Sequence, residues 1–357
     1  MVAKIPSITQ NMPGVLGREV SFFGSELQMR QSRLIQAVLV VFCSCWFGNS
    51  VVASDEKPIF TDPAKVNDDY AVQGEYFADS TPLGPIGAQI IALGDGKFDG
   101  MFYIGGLPGK GWERDDDLIE GSGTRDGAVV RFTADSDEGS GVWENGVISV
   151  FGGDGAKIFE MKKVERTSPT LGAKAPEGAI VLFDGKTADN FENGKLIDGQ
   201  YLGATSCKSK EQLGDHKLHI EFRTPFMPGH RGQARGNSGV YVQGRYEVQV
   251  LDSFGLEGEN NECGGIYSLG RPIVNMCLPP LTWQTYDIDF TAPKTDADGK
   301  RVNARITVRH NGVVIHKDVE LKQGTPGGLP MGDAPESLFL QDHGDPVVFR
   351  NIWVEKK

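Results

Sequence analysis

The stretch Arg235–Ser253 reads RGNSGVYVQGRYEVQVLDS, and its alternation decides the fold. Val240 and Val242 alternate with Tyr241 and Gln243, and Val248 and Val250 alternate with Glu247 and Gln249. Successive residues of a strand point to opposite faces, so each run has one apolar and one polar side. An odd-length loop, Gly244 to Tyr246, keeps both valine stripes on one side of the resulting hairpin. That side packs a core. The other presents groups that bind or move protons, and the hairpin is expected in the middle of a concave polar sheet.

The same alternation recurs on both sides of the hairpin. In Leu218–Thr224, LHIEFRT, Leu218, Ile220 and Phe222 face one way and His219, Glu221 and Arg223 the other. Tyr286–Phe290 alternates again, with Asp287 and Asp289 outward. Asn311-Gly312 separates two further runs, and that dipeptide favours the left-handed conformations of a tight hairpin turn. Ala179–Phe183, Leu338–Leu340 and Val347–Val354 add strands, and no helical period competes with them. Residues 177–357 therefore read as an antiparallel sandwich. His219, His310 and His316 read as surface or strand histidines, and Trp283 and Trp353 as packing residues.

A chain of 357 residues exceeds one small core. Residues 54–165 carry more short strands, among them Ile86–Leu93 and Phe98–Ile104 around Gly94-Asp95-Gly96, and read as a small β domain. Its loop GGLPGKGWERDDD (105–117) holds a solvated acidic run and Trp112, a residue that either plugs a small core or stacks on a sugar. The polar, proline-containing segment 166–176 is the expected linker.

Residues 1–53 read as a signal region: Arg30-Gln31-Ser32-Arg33, an apolar run Leu34–Gly48, and a small residue, Ala53, at the cleavage point. The run falls short of the ~20 residues of a spanning helix, so no membrane anchor is expected after cleavage. Met29 offers an alternative start. Export to the periplasm or the extracellular space follows. The formal charge is −12, and no Lys/Arg cluster is interleaved with aromatics, which excludes nucleic acid as the partner. Once Cys43 and Cys45 leave with the signal, Cys207, Cys263 and Cys277 remain. In an oxidising compartment Cys263–Cys277 can close a short loop and leave Cys207 buried or free.

The motifs LFDGK (182–186), GNSGVYVQGRYEVQVLDS (236–253), CGGIY (263–267), WQTYDIDF (283–290) and LQDHGDPVVFRNIWV (340–354) are collinear. With them the C-terminal half, residues 177–357, resembles the 3-keto-disaccharide hydrolase domain family, and residues 54–165 resemble an N-terminal extension of planctomycete members. The resemblance implies a concanavalin-like jelly-roll sandwich, similar in shape to family-16 glycoside hydrolases, and a small carbohydrate as substrate.

Family-16 enzymes carry Glu-x-Asp-x-x-Glu on one strand. The matching letters here are Glu247-x-Gln249-x-x-Asp252, with an amide in the middle. That departure argues against ordinary two-carboxylate hydrolysis and for a 3-keto sugar, whose carbonyl acidifies the C2 proton. A base removes that proton, the C1 substituent leaves by β-elimination, and water adds to the unsaturated product. Glu247 is the candidate base, His343 the candidate acid or metal ligand, and Asp252 joins them if a β-bulge turns it into the cleft. Arg223 and Arg245 are candidates to stabilise an enolate oxygen, Asn237, Gln249 and Gln341 to hold hydroxyls, and Tyr241, Tyr267 or Trp283 to stack on a sugar face. Glu247, Asp252 and His343 also form an oxygen-and-nitrogen donor set for a divalent cation such as calcium, although no spacing motif demands one. The competing reading is a lectin-like, non-catalytic sugar-binding module on the same fold.

Overall fold

The computed structural model describes residues 57–135 and 139–357. The expected signal region, with Cys43 and Cys45, lies outside the described residues. Eight strands come first: β1 (Gly74–Ala78), β2 (Ile86–Gly94), β3 (Lys97–Ile104), β4 (Leu118–Asp126), β5 (Val129–Ala134), β6 (Gly139–Glu144), β7 (Val147–Gly152) and β8 (Lys157–Val164). Each pairs antiparallel with its neighbour in sequence, and β8 returns to β1, so the sheet closes into an up-and-down barrel. Closure leaves no exposed edge in a sheet of short strands. The β2–β3 turn is tight because Asp95 and Gly96 take φ of 54° and 67°. Tyr76, Ile90, Phe98, Phe132, Ile148 and Met161 fill the interior.

Two facing sheets follow, and two short two-stranded ribbons, Leu107–Pro108 with Gly111–Trp112 and Lys294–Thr295 with Arg301–Val302, stand apart from them. The larger has the order β11 (Leu196–Ile197), β12 (Tyr201–Gly203), β21 (Val348–Lys356), β14 (His216–Arg223), β17 (Gln284–Thr291), β18 (Ala304–His310) and β19 (Val313–Leu321), with β9 (Ile180–Phe183) paired to β21. The smaller has the order β10 (Phe191–Glu192), β13 (Cys207–Leu213), β20 (Glu336–Leu340), β15 (Ser238–Val242) and β16 (Tyr246–Val250). Between them lies one core, to which β14 contributes Leu218, Ile220 and Phe222 and the β15–β16 hairpin Val240, Val242, Val248 and Val250. Full burial of each such side chain stabilises the fold by ~1.5–3 kcal/mol. The chain is an all-β protein, a jelly-roll-like sandwich preceded by a small β barrel.

Barrel and sandwich belong to one compact unit. Phe226 and Leu281 of the sandwich pack into the barrel's apolar cluster. The acidic 105–117 loop works as a clasp: Arg114 Nη2 donates to the carbonyls of Gly258 and Pro272, each at 2.9 Å. Trp112 sits edge-on to Tyr103. The expected linker does more than span a gap. Ser168 and Thr170 bond Thr285 and Asp287, and Gly172 N donates to Glu221 at 2.6 Å. This docking buries the outer face of β14. His219 is therefore interior, as are His310 and His316, against the surface position open to them in the sequence.

Candidate active site

The hairpin has the expected faces and a shifted loop. Val240 pairs with Val248 and Tyr241 with Glu247. The turn comprises Gln243, Gly244 and Arg245, one residue earlier than the alternation indicates, because Gln243 and Gly244 adopt φ of 51° and 57°. A second difference concerns position: β16 is the edge of the smaller sheet, not its middle. The CGGIY motif covers that edge. Gln249 N donates to Gly265 O (2.9 Å), Gly264 N to Gln249 O (2.9 Å) and Tyr267 N to Glu247 O (3.2 Å). The backbone groups an edge strand leaves open are thereby paired.

On the polar face of this hairpin lies a cleft of about 210 Å3. Glu247, Tyr241 and Gln249 form its floor, and Asn237, Tyr267, Gln341 and His343 enter from loops. Other clefts, of about 310 and 360 Å3, are larger. Its convergent polar groups, not its size, single this one out. The loop after β20 is fixed by Gln341 N to Gly239 O (3.0 Å) and Ser238 Oγ to Gln341 O (2.7 Å), and Asp345 accepts from Asn237 N (2.7 Å). These bonds bring the LQDHGDP motif to the cleft and leave His343 exposed.

Glu247 is 2% exposed, and among the described residues no basic side chain is paired with it. Burial pushes its carboxyl up to about 7, against a smaller downward pull from the Tyr241 hydroxyl. Its backbone N–H is tied to Thr325 Oγ1 at 2.9 Å. Gly239, its cross-strand diagonal neighbour, has no side chain to occupy the space where Oε1 lies. Burial and the nearby carboxylate push Tyr241 well above the usual phenol range, so it stays a proton donor. Its hydroxyl donates to Pro326 O at 3.0 Å.

Three amides are locked together beside the carboxylate. Gln249 Nε2 donates to Gln233 Oε1 (3.1 Å), Asn237 Nδ2 to Gln233 O (2.8 Å), and Gln233 Nε2 to Asn261 O (2.7 Å). Gln249 Oε1 and Asn237 Oδ1 are left buried with no partner among the described residues. A buried acceptor without a partner costs about 1–3 kcal/mol, so both are poised for donors supplied from the cleft.

Sequence reasoning missed Gln233 and the wall formed by Pro326 and Gly327. Gln233 sits only four residues before Asn237, and its polar loop composition was the one available signal. Thr325-Pro326-Gly327 carries a turn signature that says nothing of what it will cover.

Four expected site residues are elsewhere. Arg223 stacks on Tyr201 and Trp283, with its guanidinium carbon 5.2 and 5.1 Å from the ring centres, and lines the 310 Å3 cleft. Trp283 is thereby also removed from the site. Arg245 is consumed by the carbonyls of Pro330 and Ala334, both at 3.0 Å. Asp252 follows the end of β16, where no bulge turns it inward, and pairs with Arg235 Nε at 2.6 Å. The expected cation set of Glu247, Asp252 and His343 is consequently not assembled, and no group of three or more acidic, His or Cys side chains is placed for a metal among the described residues. Cys263 and Cys277 are free buried thiols rather than a disulfide, as is Cys207. Cys263 Sγ contacts the Tyr286 hydroxyl at 3.3 Å and Cys277 Sγ faces Leu251 O at 3.5 Å.

A family model described as the 3-keto-alpha-glucoside-1,2-lyase-like domain matches residues 178–355. Among solved structures, one from Parabacteroides distasonis ATCC 8503, described as a "putative glycosyl hydrolase", is 34% identical, with a TM-score of 0.46, and the match covers 51% of this chain and 85% of that one. Two more from the same organism, described in the same words, are 17% and 21% identical with TM-scores of 0.38 and 0.36; each match covers 51% of this chain, and 94% and 100% of the other. No curated protein matches the chain.

Proposed function

Through residues 178–355 the chain belongs to the 3-keto-alpha-glucoside-1,2-lyase-like domain family, and from that premise we propose that it cleaves the glycosidic bond of 3-keto-glycosides. The observation that carries this reading is Glu247, a buried carboxyl poised near 7 among neutral donors and acceptors. A general base works best when its pKa lies near the working pH. An ordinary retaining glycosidase would need a second carboxylate about 5 Å away, and Asp252 is held by Arg235 instead.

In the reaction Glu247 takes the C2 proton of the 3-keto ring. The electron pair moves to the C3 oxygen, then returns to expel the C1 substituent as the C1–C2 double bond forms. His343, at the exposed mouth, donates a proton to the departing oxygen. Tyr241 and Gln341, whose Nε2 lies 3.4 Å from the Tyr241 hydroxyl, line the same cleft and stabilise the enolate in place of Arg223 and Arg245. Gln249 Oε1 and Asn237 Oδ1 accept from ring hydroxyls. Water adds across the double bond to give the hydrolysed product. The reading of residues 1–53 as a signal region supports a site of action outside the cytoplasm.

The test is incubation with 3-keto-trehalose or 3-keto-lactose in D2O, followed by NMR. Deuterium at C2 and release of the second sugar are expected, and Glu247→Gln should abolish both. Binding of every sugar without product would favour a lectin-like module, and equal cleavage of the unoxidised sugars would overturn the elimination route.

A further inference from the structure

The barrel's outer face and the sandwich enclose a second cleft, of about 360 Å3, which the proposed reaction does not use. Leu93 of β2 and Asp99 and Met101 of β3 form one wall; Arg235, Leu256 and Glu257 form the other. At its base lies a fixed guanidinium. Arg235 is 3% exposed, its Nε pairs with Asp252 at 2.6 Å, and its Nη1 donates to Ala92 O at 3.1 Å. Those two bonds immobilise the fork, and Nη2 is left buried without a partner among the described residues. An unpaired donor on a buried charged group is costly, so an acceptor from the cleft is the missing element.

Only one turn of 3-10 helix, Gly232–Ala234, divides this cleft from the site of Glu247. Gly232 lines one and the adjacent Gln233 lines the other. Arg231, Gly232 and Ala234 are exposed, so the divider is an open rim that a ligand can cross. Arg231 Nη2 fastens the rim to the barrel through Leu93 O at 3.0 Å.

We propose that this barrel–sandwich cleft is a second sugar-binding subsite, which holds the part of a glycoside lying beyond the ring at Glu247. The inference rests on the sugar-site reading of the Glu247 cleft. The chemistry selects a neutral hydroxylated ring. Arg235 Nη2 offers a donor, Asp99, Glu120 and Glu257 offer acceptors, and Leu93, Met101 and the 43%-exposed Leu256 offer an apolar surface to C–H faces. A bare cation meets the guanidinium, and an anion meets the carboxylates. The proposal gives the N-terminal barrel a task in substrate selection.

The test uses equilibrium binding of unoxidised lactose and of glucose to the full chain, by calorimetry or ligand-observed NMR, so it does not depend on turnover. Met101→Trp fills the cleft from the barrel side, and Glu120→Gln replaces one acceptor oxygen by an amide donor with little change in volume. Each should weaken lactose binding, by tenfold or more for Met101→Trp, while glucose affinity at the Glu247 cleft stays within a factor of two. Gln249→Ala, which should weaken glucose, checks that cleft separately. The proposal is overturned if the wild-type chain binds no lactose, or if both barrel variants bind lactose as the wild type does. It is equally overturned if calcium rather than lactose binds in a manner both variants abolish. Circular dichroism melts confirm folding of each variant, and Glu120→Gln keeps the test decisive should Met101→Trp not fold. Absent turnover of 3-keto sugars with intact lactose discrimination would remove the reaction and keep the subsite.

Discussion

Replacing Gly239 by alanine puts a methyl carbon 2.3 Å from Glu247 Oε1 and 2.9 Å from Glu247 Cδ and Tyr241 Cε2. Ordinary contact starts near 3.4 Å, so the carboxylate must retreat by roughly 1 Å. Gly239 does not have positive φ, and the closest obstructing atoms belong to the end of a flexible side chain, so the backbone can stay where it is. Alanine in a strand also loses ~0.5–1 kcal/mol less than glycine in conformational freedom. The fold should therefore survive with a melting temperature close to that of the wild type. Catalysis should not, since a misplacement of ~1 Å at a reacting group costs about 100-fold in rate, equivalent to about 2.7 kcal/mol of barrier. Turnover of 3-keto-trehalose and deuterium uptake at C2 should fall together by that factor in Gly239→Ala. A folded Gly239→Ala enzyme within threefold of wild type on both readouts would refute the assignment of Glu247 as the base.

Other consequences can be measured alongside it. Because burial raises Glu247 to about 7, kcat/KM should climb about tenfold per pH unit below 7 and level off above it; a flat profile from pH 5 to 9 contradicts a carboxylate base. The same shift acts on stability. The folded state keeps a proton that the unfolded state releases above 4.5, so stability falls between pH 4.5 and 7, and Glu247→Gln should be the more stable protein at pH 8, by on the order of 3 kcal/mol, yet equal to wild type at pH 4 in denaturant melts. Under the docked 168–172 segment, burial raises Glu221, but hydrogen bonds from His219, Asn351, Gly172 N and Arg350 outweigh it and bring the carboxyl down to about 2. This docking of the 168–172 segment, a second clasp, is intact above pH 4.5 and weakens as pH falls toward 2. Burial pulls His219 down, its bonds to Asp287 and Glu221 raise it further, and its share is full below 6.5 and fades as pH rises through the folded value. Amide exchange at Gly172 should follow the acid limb and lose it in Glu221→Gln; an unchanged limb speaks against the clasp. Asp252→Asn leaves the Arg235 charge buried and unpaired, and should cost about 3–5 kcal/mol in urea melts, while folded protein keeps C2 exchange; lost exchange at unchanged stability would return Asp252 to the chemistry.

What was legible in the sequence was short in range. Alternation in 238–250 assigned the valines to a core and Tyr241, Glu247 and Gln249 to one polar face, because the pleat repeats every two residues and needs no knowledge of the rest of the chain. The collinear motifs extended that to the family, and with it to Asn237, Tyr267, Gln341 and His343 at the same cleft. Partner choice was not legible. Arg245 lies next to the site in sequence, yet its guanidinium is taken by carbonyls at 330 and 334. Asp252 keeps the spacing of a catalytic acid and is captured by Arg235, which also reaches the barrel at Ala92. Gln233 and Thr325 meet at Glu247 and its neighbours from loops about 90 residues apart in the chain. Likewise, β8 alone gives no sign that it will return to β1 and close the barrel. A side chain's face is set by the residues beside it, whereas its hydrogen-bond partner is set by whichever distant segment folding brings within 3 Å. The sequence by itself thus determined the β character, the core face and the candidate base; the tertiary structure decided which of the nearby charges face the candidate cleft and which hold the barrel against the sandwich.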